Sequence, residues 1–309
     1  MQDFESIYKN ETRFLSLTSL KPAEFDNLLS HFSPICEKYI AYHDAFGKKR
    51  KFQRFTEIKS SSLYGSSIKL FFILIYLKTN TLQEFIGTMF NLSQGKVSQW
   101  VKVLLPLLHQ SLKKANCMPA TTADELYKRL LTVAEKEKII IHDAIERPIP
   151  RQIDKDNQKD DYSGKQQDHT CKNELVVDTQ RIIHFISPTV EGKMNDKALC
   201  DSLKLKFPPK IALFQDLGYL GYAPQEVELF MPIKKSKYKQ EFNEEELAYN
   251  SFVSSIRVRV EHVIGAFQTL RIVRETIRIK GQMFRDTVAY VAAALHNLRN
   301  YARNPIFAT

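Results

Sequence analysis

The sequence predicts an all-helical unit followed by an α/β domain whose C-terminal side is again helical. Three observations carry this. From about residue 19 to residue 112, apolar side chains recur at helical spacing and strand signals are poor. Two short apolar runs at 138–141 and 211–214 have strand character, and 175–177 and 181–186 add two more between them. Helical periodicity resumes near Asn243 and persists to Asn300, so strands come first and long helices follow. The expected boundaries are a helical domain over 1–112, a linker over 113–137 and the α/β domain over 138–309.

A chain of 309 residues that is 43% hydrophobic can bury a full core. The 45 Lys+Arg against 35 Asp+Glu leave a net charge of +10, which favours polyanionic partners such as nucleic acid. A membrane partner is not expected, because the longest apolar run, 70–77, falls far short of the ~20 residues a spanning helix needs. The N-terminus mixes Asp3, Glu5, Lys9 and Glu11 with apolar residues, unlike a secretory signal, so a cytoplasmic location is expected. Cys36, Cys117, Cys171 and Cys200 form no Cys-x-x-Cys pair, which argues against both a zinc site and a disulfide framework.

Within the first unit, Lys48, Lys49, Arg50 and Lys51 form a basic run interleaved with Phe52 and Phe55, continuing through Gln53 and Arg54. Such a run can follow a phosphate backbone or be a solvated loop. Residues 81–90 read as a short helix, 91–93 as a turn and 94–105 as a second helix, which is helix-turn-helix spacing. The second helix would expose Gln94, Lys96, Ser98, Gln99 and Lys102, side chains that reach bases or phosphates, and bury Val97, Trp100, Val101 and Leu104. A plain helical hairpin is the alternative.

In the second unit two unrelated apolar strands each deliver an acid: Asp143 follows 139–142, and Asp216 follows 211–215. If the strands are neighbours, the carboxylates converge at one edge of the sheet, where α/β folds place ligands. Gly218 and Gly221 permit a sharp turn beside Asp216. A third acid, Glu261, lies at the edge of a helical face formed by Ile256, Val260, Val263, Phe267 and Leu270, half-buried, with Arg257 one turn before it. Three carboxylates suit Mg²⁺ or Mn²⁺, and two such ions can activate an attacking oxygen and stabilise a leaving one. His142 and His262 beside two of the acids read as structural, since neighbours on a strand point to opposite faces. The basic run 234–239 and Arg271, Arg274 and Arg278 are solvated faces or line a DNA groove. The chain lacks a phosphate-binding Gly-x-x-x-x-Gly-Lys loop, a Gly-x-Gly-x-x-Gly fingerprint and a Gly-x-Ser-x-Gly elbow.

The blocks Ile-His-Asp143-Ala-Ile-Glu-Arg-Pro-Ile, Asp216-Leu-Gly-Tyr-Leu-Gly and Arg257-Val-Arg-Val-Glu261-His-Val-Ile-Gly resemble the three acidic blocks of DDE-type insertion-sequence transposases. The likeness covers 138 to about 300, and the helix-turn-helix stretch extends it. It implies a ribonuclease-H-like catalytic domain preceded by a DNA-binding domain, with Asp143 on the first strand, Asp216 after the fourth and Glu261 on a later helix. It also implies two Mg²⁺ ions on these three acids and double-stranded DNA as substrate, both element terminal inverted repeats and target, bound by a homodimer. Arg257, with Lys48 to Lys51 and the second-helix residues, would contact DNA. Ser254 and Gln268 stand where many relatives carry Tyr and Lys, and Asn195 stands in place of a His before Asp196, an accessory acid. The expected activity is cleavage and strand transfer; the alternatives are a DNA-binding regulator without cleavage and a nuclease without joining.

Overall fold

The structure, a computed structural model, describes residues 4–44, 47–52, 57–134, 137–235, 241–278 and 281–304. In chain order the helices are α1 (Phe4–Lys9), α2 (Glu11–Thr18), α3 (Pro22–Tyr42), α4 (Ser66–Thr79), α5 (Gln83–Phe90), α6 (Gln94–Lys114), α7 (Ala123–Val133), α8 (Lys155–Asp161), α9 (Asp196–Leu203), α10 (Glu244–Phe267), α11 (Arg271–Arg274) and α12 (Gln282–Arg303). The strands are β1 (Ile139–Pro148), β2 (Tyr162–Ser163), β3 (Asp168–Asp178), β4 (Ile183–Ile186), β5 (Val190–Glu191), β6 (Ala212–Phe214) and β7 (Glu228–Phe230). They form two compact units, one of 1–118 with 268–309 and one of 119–267.

In the helical unit the apolar run too short to span a membrane becomes α4, buried on every side from Lys69 to Leu77. Among the described residues no helix is long and apolar enough to cross a membrane. Phe14 stacks on Phe71 at 5.6 Å and meets Phe25 edge-on at 5.2 Å, joining α2, α3 and α4 through rings whose burial dominates the local energetics. Between α5 and α6 the chain turns at Asn91, which adopts the left-handed conformation (φ 51°) and donates its backbone N–H to Gly87 O. A Cβ on Gly87 would lie 2.4 Å from Leu92 O, so only glycine lets the turn close this tightly. The second helix continues to Lys114, well past the expected end at Leu105, with Pro106 exposed inside it.

The C-terminal helix α12 belongs to this unit, not to the α/β domain expected over 138–309. Its buried side includes Val288, Ala292, Ala293, Leu295 and Leu298, and the small alanines permit a close approach to α6. Asn297 Nδ2 donates to Cys117 O at 3.1 Å, and Arg303 pairs with Glu24 of α3 at 2.7 Å. Helical periodicity identifies such a helix but not the core it joins.

In the α/β unit the strand order is β2-β3-β1-β6-β7, with β4 and β5 also pairing with β3. β3 runs antiparallel to β1, β4 antiparallel to β3, and β6 and β7 run parallel to β1. One face carries Ile140, Val176, Phe185 and Leu213, covered by Leu126 and Leu130 of α7 and by Leu205 and Phe207. The segment expected to be a linker over 113–137 therefore contributes a core helix, because the apolar stripe of α7 matches this face. On the opposite face Phe214 stacks on Phe230 at 4.7 Å and meets Phe252 of α10 at 5.9 Å. Helices thus cover both sides of a mixed sheet with β1 at its centre.

Candidate active site

The pairing of β1 with β6 places two acids together. Ile139, Ile140 and Ile141 pair with Ala212, Leu213 and Phe214 in parallel register, so the same offset carried two residues further sets Asp143 beside Asp216. Paired positions share a face of the sheet, and both carboxylates point to the α10 side. The strand carrying Asp143 does not end there as expected; β1 runs on to Pro148 because β3 pairs with it throughout. Asp216 lies two residues past the end of β6 and caps a single 3₁₀ turn, its Oδ1 accepting the Gly218 N–H at 2.7 Å.

Arg257 of α10 reaches both acids, its Nη2 lying 3.6 Å from Asp143 Oδ2 and 3.9 Å from Asp216 Oδ2. These distances exceed hydrogen-bond length, so the guanidinium neutralises charge without gripping either carboxylate. Burial pushes the Asp143 carboxyl up to about 6; the Ala144 N–H and Arg257 oppose this, while Asp216 and Glu174 add to it. A carboxylate with 18% exposure, beside a second with 28%, is a concentration of negative charge that a cation relieves. The donors are hard oxygens, which fit Mg²⁺ or Mn²⁺.

Glu261 is exposed, not half-buried as expected. The helix buries Val253, Val260, Val263 and Phe267, and Glu261 lies ~100° around from Val260. It sits one turn beyond Arg257 on the same stripe of α10, but the ion pairs of Arg257 go to the two aspartates and not to Glu261. His262 is exposed, while His142 is wholly buried.

Near these acids, Lys172 and Glu174 had no sequence signal beyond their place in an apolar strand, whereas Asp196 was singled out in advance. The accessory Asp196 opens α9, and a Cβ on Gly218 would lie 2.7 Å from Asp196 Oδ2 and 2.9 Å from Asp216 Oδ1, so glycine lets these two acids flank one turn. Lys172 holds Asp196 at 2.8 Å and faces Glu146 at 3.6 Å. Asn195 caps α9 by accepting the Ala198 N–H at 2.7 Å. Behind the acids, His142 and Gln215 hydrogen-bond at 2.8 Å, and Glu174 lies 3.1 Å from His142. Glu174 was missed because one acid inside a β-strand run carries no motif.

In the helical unit Gln94, Lys96 and Lys102 are exposed on α6, while Ser98 and Gln99 are half-buried. Val97, Val101 and Leu104 are buried as expected, and half-buried Trp100 has Lys69 Nζ 5.7 Å from its ring centroid. Lys48, Lys49 and Lys51 are exposed, as is Phe52. Arg50 differs: its Nε donates to Ile40 O at 3.3 Å and His43 O at 3.0 Å, satisfying carbonyls at the end of α3. Gln53, Arg54 and Phe55, and residues 236–239 of the second basic run, lie outside the described residues, whereas Lys234 and Lys235 are exposed. Arg271 pairs with Glu275 at 2.6 Å and Arg278 donates to Asn80 O at 2.6 Å, so both serve the helical unit itself.

Comparison with known proteins agrees with this architecture. Residues 62–114 match the family model described as helix-turn-helix of DDE superfamily endonuclease, which spans α4 to α6. A protein of Microchaete diplosiphon described as "Probable transposase for insertion sequence element IS702" is 29% identical over 157 residues, covering 51% of this chain and 56% of that protein. The chain thus spans about half the length of this curated relative. No solved structure matches. Residues 142–297 match the family model described as DDE superfamily endonuclease, and the chain belongs to that family.

Proposed function

We propose that the chain is a DNA transposase that binds the terminal inverted repeats of an element as a homodimer, cleaves phosphodiester bonds there and joins the freed 3′-hydroxyl to target DNA. The observation that carries this reading is the convergence of Asp143 and Asp216 beneath Arg257, in a chain that also has a helix-turn-helix. The strand order, with β1 central, β3 and β4 antiparallel outward on one side and β6 and β7 parallel on the other, supports a ribonuclease-H-like fold.

Asp143, Asp216 and Glu261 would hold two Mg²⁺ ions, with Mn²⁺ as a substitute; when bound, these supply charge neutralisation at the scissile phosphate and lower the pKa of an attacking water. Burial, with a smaller contribution from Asp216 and Glu174, raises the affinity of Asp143 for a proton. Arg257 lies near both acids in the protein alone, and on DNA it would meet a phosphate oxygen. Gln94, Ser98 and Gln99 would read base edges, while Lys96, Lys102, Lys48, Lys49, Arg50 and Lys51 would follow the backbone. For Arg50 this role competes with the carbonyls it already satisfies. The helical domain over 1–112 would bind DNA and the acids in 138–309 would cut it, from a cytoplasmic location.

The test is cleavage of a labelled element end with Mg²⁺. Asp143→Asn, Asp216→Asn and Glu261→Gln each keep shape and remove charge, so each is expected to abolish cleavage while DNA binding survives; Asp154→Asn, in an exposed loop, cuts normally. Near wild-type cleavage by Asp143→Asn or Asp216→Asn removes the metal-dependent mechanism. No cleavage by the wild type with Mg²⁺ or Mn²⁺, with binding intact, favours the regulator; cleavage without joining leaves a nuclease.

A further inference from the structure

Immediately behind the two aspartates, three potential ligands from three elements meet in the core: His142 of β1, Glu174 of β3 and Cys200 of α9. Nε2 of His142 lies 3.1 Å from Glu174 Oε2 and 3.6 Å from Cys200 Sγ, and the ligand atoms all fall within 4.8 Å of one another. We propose that His142, Glu174 and Cys200 bind one divalent cation of the zinc class, a structural site separate from the carboxylate site on the other face of the sheet.

The donor set is the first argument. One imidazole nitrogen, one carboxylate and one sulfur make a combination that suits Zn²⁺ and not Mg²⁺, which takes oxygens alone. Spacing is the second. Tetrahedral coordination with a metal–nitrogen distance of ~2.05 Å and a metal–sulfur distance of ~2.3 Å requires nitrogen and sulfur ~3.6 Å apart, and nitrogen and oxygen ~3.4 Å apart. The nitrogen–sulfur and nitrogen–oxygen separations of 3.6 Å and 3.1 Å lie within a few tenths of an ångström of these values, and the oxygen–sulfur pair lies within 4.8 Å.

The third argument is the hydrogen bonding around the triad. The Gln215 amide nitrogen lies 2.8 Å from His142 Nδ1, while Gln215 Oε1 is buried without a partner. Turning the amide over lets Oε1 accept from Nδ1–H. With the amide turned, the neutral tautomer presents a bare Nε2 to the carboxylate and the sulfur, the outer arrangement that metal-ligating histidines carry. Lone pairs facing one another repel unless a cation lies between them. Glu174 Oε2 accepts from Tyr219 Oη at 2.7 Å, yet Glu174 Oε1 and Tyr222 Oη are buried with no hydrogen-bond partner. Tyr222 packs with Cys200 and Tyr219, its ring 6.2 Å from that of His142. A closed His–Glu ion pair accounts for Glu174 Oε2 and, with the amide turned, for Gln215 Oε1, but leaves Glu174 Oε1 and Tyr222 Oη without partners.

On binding, the Cys200 thiol loses its proton to solvent and a metal–sulfur bond forms; no electrons are exchanged. The ion would tie α9 to β1 and β3, and α9 begins at Asp196, beside Gly218 and Asp216. Cysteine spacing argued against zinc because it senses only ligands close in sequence, whereas these lie at 142, 174 and 200.

The test uses the full chain, purified from zinc-containing medium and dialysed against EDTA to strip loosely held ions, with metal measured by mass spectrometry. One zinc per chain is expected. Cobalt refolded into the protein should give a sulfur-to-metal charge-transfer band, which Cys200→Ser loses and the combined Cys36→Ser, Cys117→Ser, Cys171→Ser variant keeps. A folded wild-type chain with substoichiometric zinc and no cobalt band overturns the site, as does a full zinc complement in a folded Cys200→Ser. If Cys200→Ser does not fold, the wild-type spectrum and the triple variant decide by themselves: a band lost in that variant moves the ion elsewhere. Catalytic activity enters none of these readouts.

Discussion

On β1 and on the continuation of β6, adjacent residues meet opposite fates. Asp143 and Asp216 face the α10 side with 18% and 28% of their side chains exposed; each accepts one backbone N–H, from Ala144 and Gly218, and the Arg257 guanidinium near them lies beyond hydrogen-bond distance. His142 and Gln215, one residue earlier on each strand, face the other way, have no exposure and hydrogen-bond to each other at 2.8 Å. The pleat separates them. One face presents charge that a ligand can reach, and the other closes a polar network in which Glu174 and Tyr219 take part. A strand pair can therefore support a reactive site on one side and the packing that steadies it on the other, at the cost of burying polar groups that must find partners.

The largest expected effect tests the closed face. Glu174→Ala removes the partner of His142 and Tyr219 and leaves a cavity, so it should cost about 3–5 kcal/mol in urea denaturation at pH 7.5. A loss below about 1 kcal/mol would show that the network is not holding the sheet. On the open face the sign reverses. The carboxyl of Asp143 has a folded-state pKa of about 6, above its ordinary value of 3.8, so folding favours its protonated form. That stabilisation is complete below pH ~3.8 and is lost as the pH rises through about 6, leaving a buried charge that opposes folding. Asp143→Asn, neutral throughout, should then stabilise the metal-free protein by about 1–2 kcal/mol at pH 8 and by almost nothing at pH 4. Destabilisation at pH 8 would mean that the Arg257 contact outweighs burial. The smallest effect separates those two influences directly. Because the guanidinium holds the Asp143 carboxyl down, Arg257→Gln should move its titration midpoint upward, by less than burial does, in a carboxyl-carbon NMR titration without metal. A downward movement would place Arg257 away from the acids in solution.

The acid pair was legible because each aspartate follows an apolar strand and parallel register needs only that the strands be neighbours, as β1 and β6 are. The turn of the helix-turn-helix was legible at Asn91, and Gly87 supplies its steric reason. Glu261 was legible as a residue of α10 but not in its exposure, since a residue at the edge of an apolar stripe is covered or open according to what packs there. The basic run shows the same limit, because charge pattern alone does not separate Arg50, turned back onto α3, from its exposed neighbours.

By itself the sequence determined the helical first unit, the strands that precede Asp143 and Asp216, and the basic charge, since these follow from local periodicity and composition. Tertiary structure alone decided that α7 enters the α/β core, that α12 joins the helical unit, and that His142, Glu174 and Cys200 share one buried point. An amphipathic helix fits any matching apolar surface, and ligands far apart in sequence meet only once strand register and helix docking bring them together.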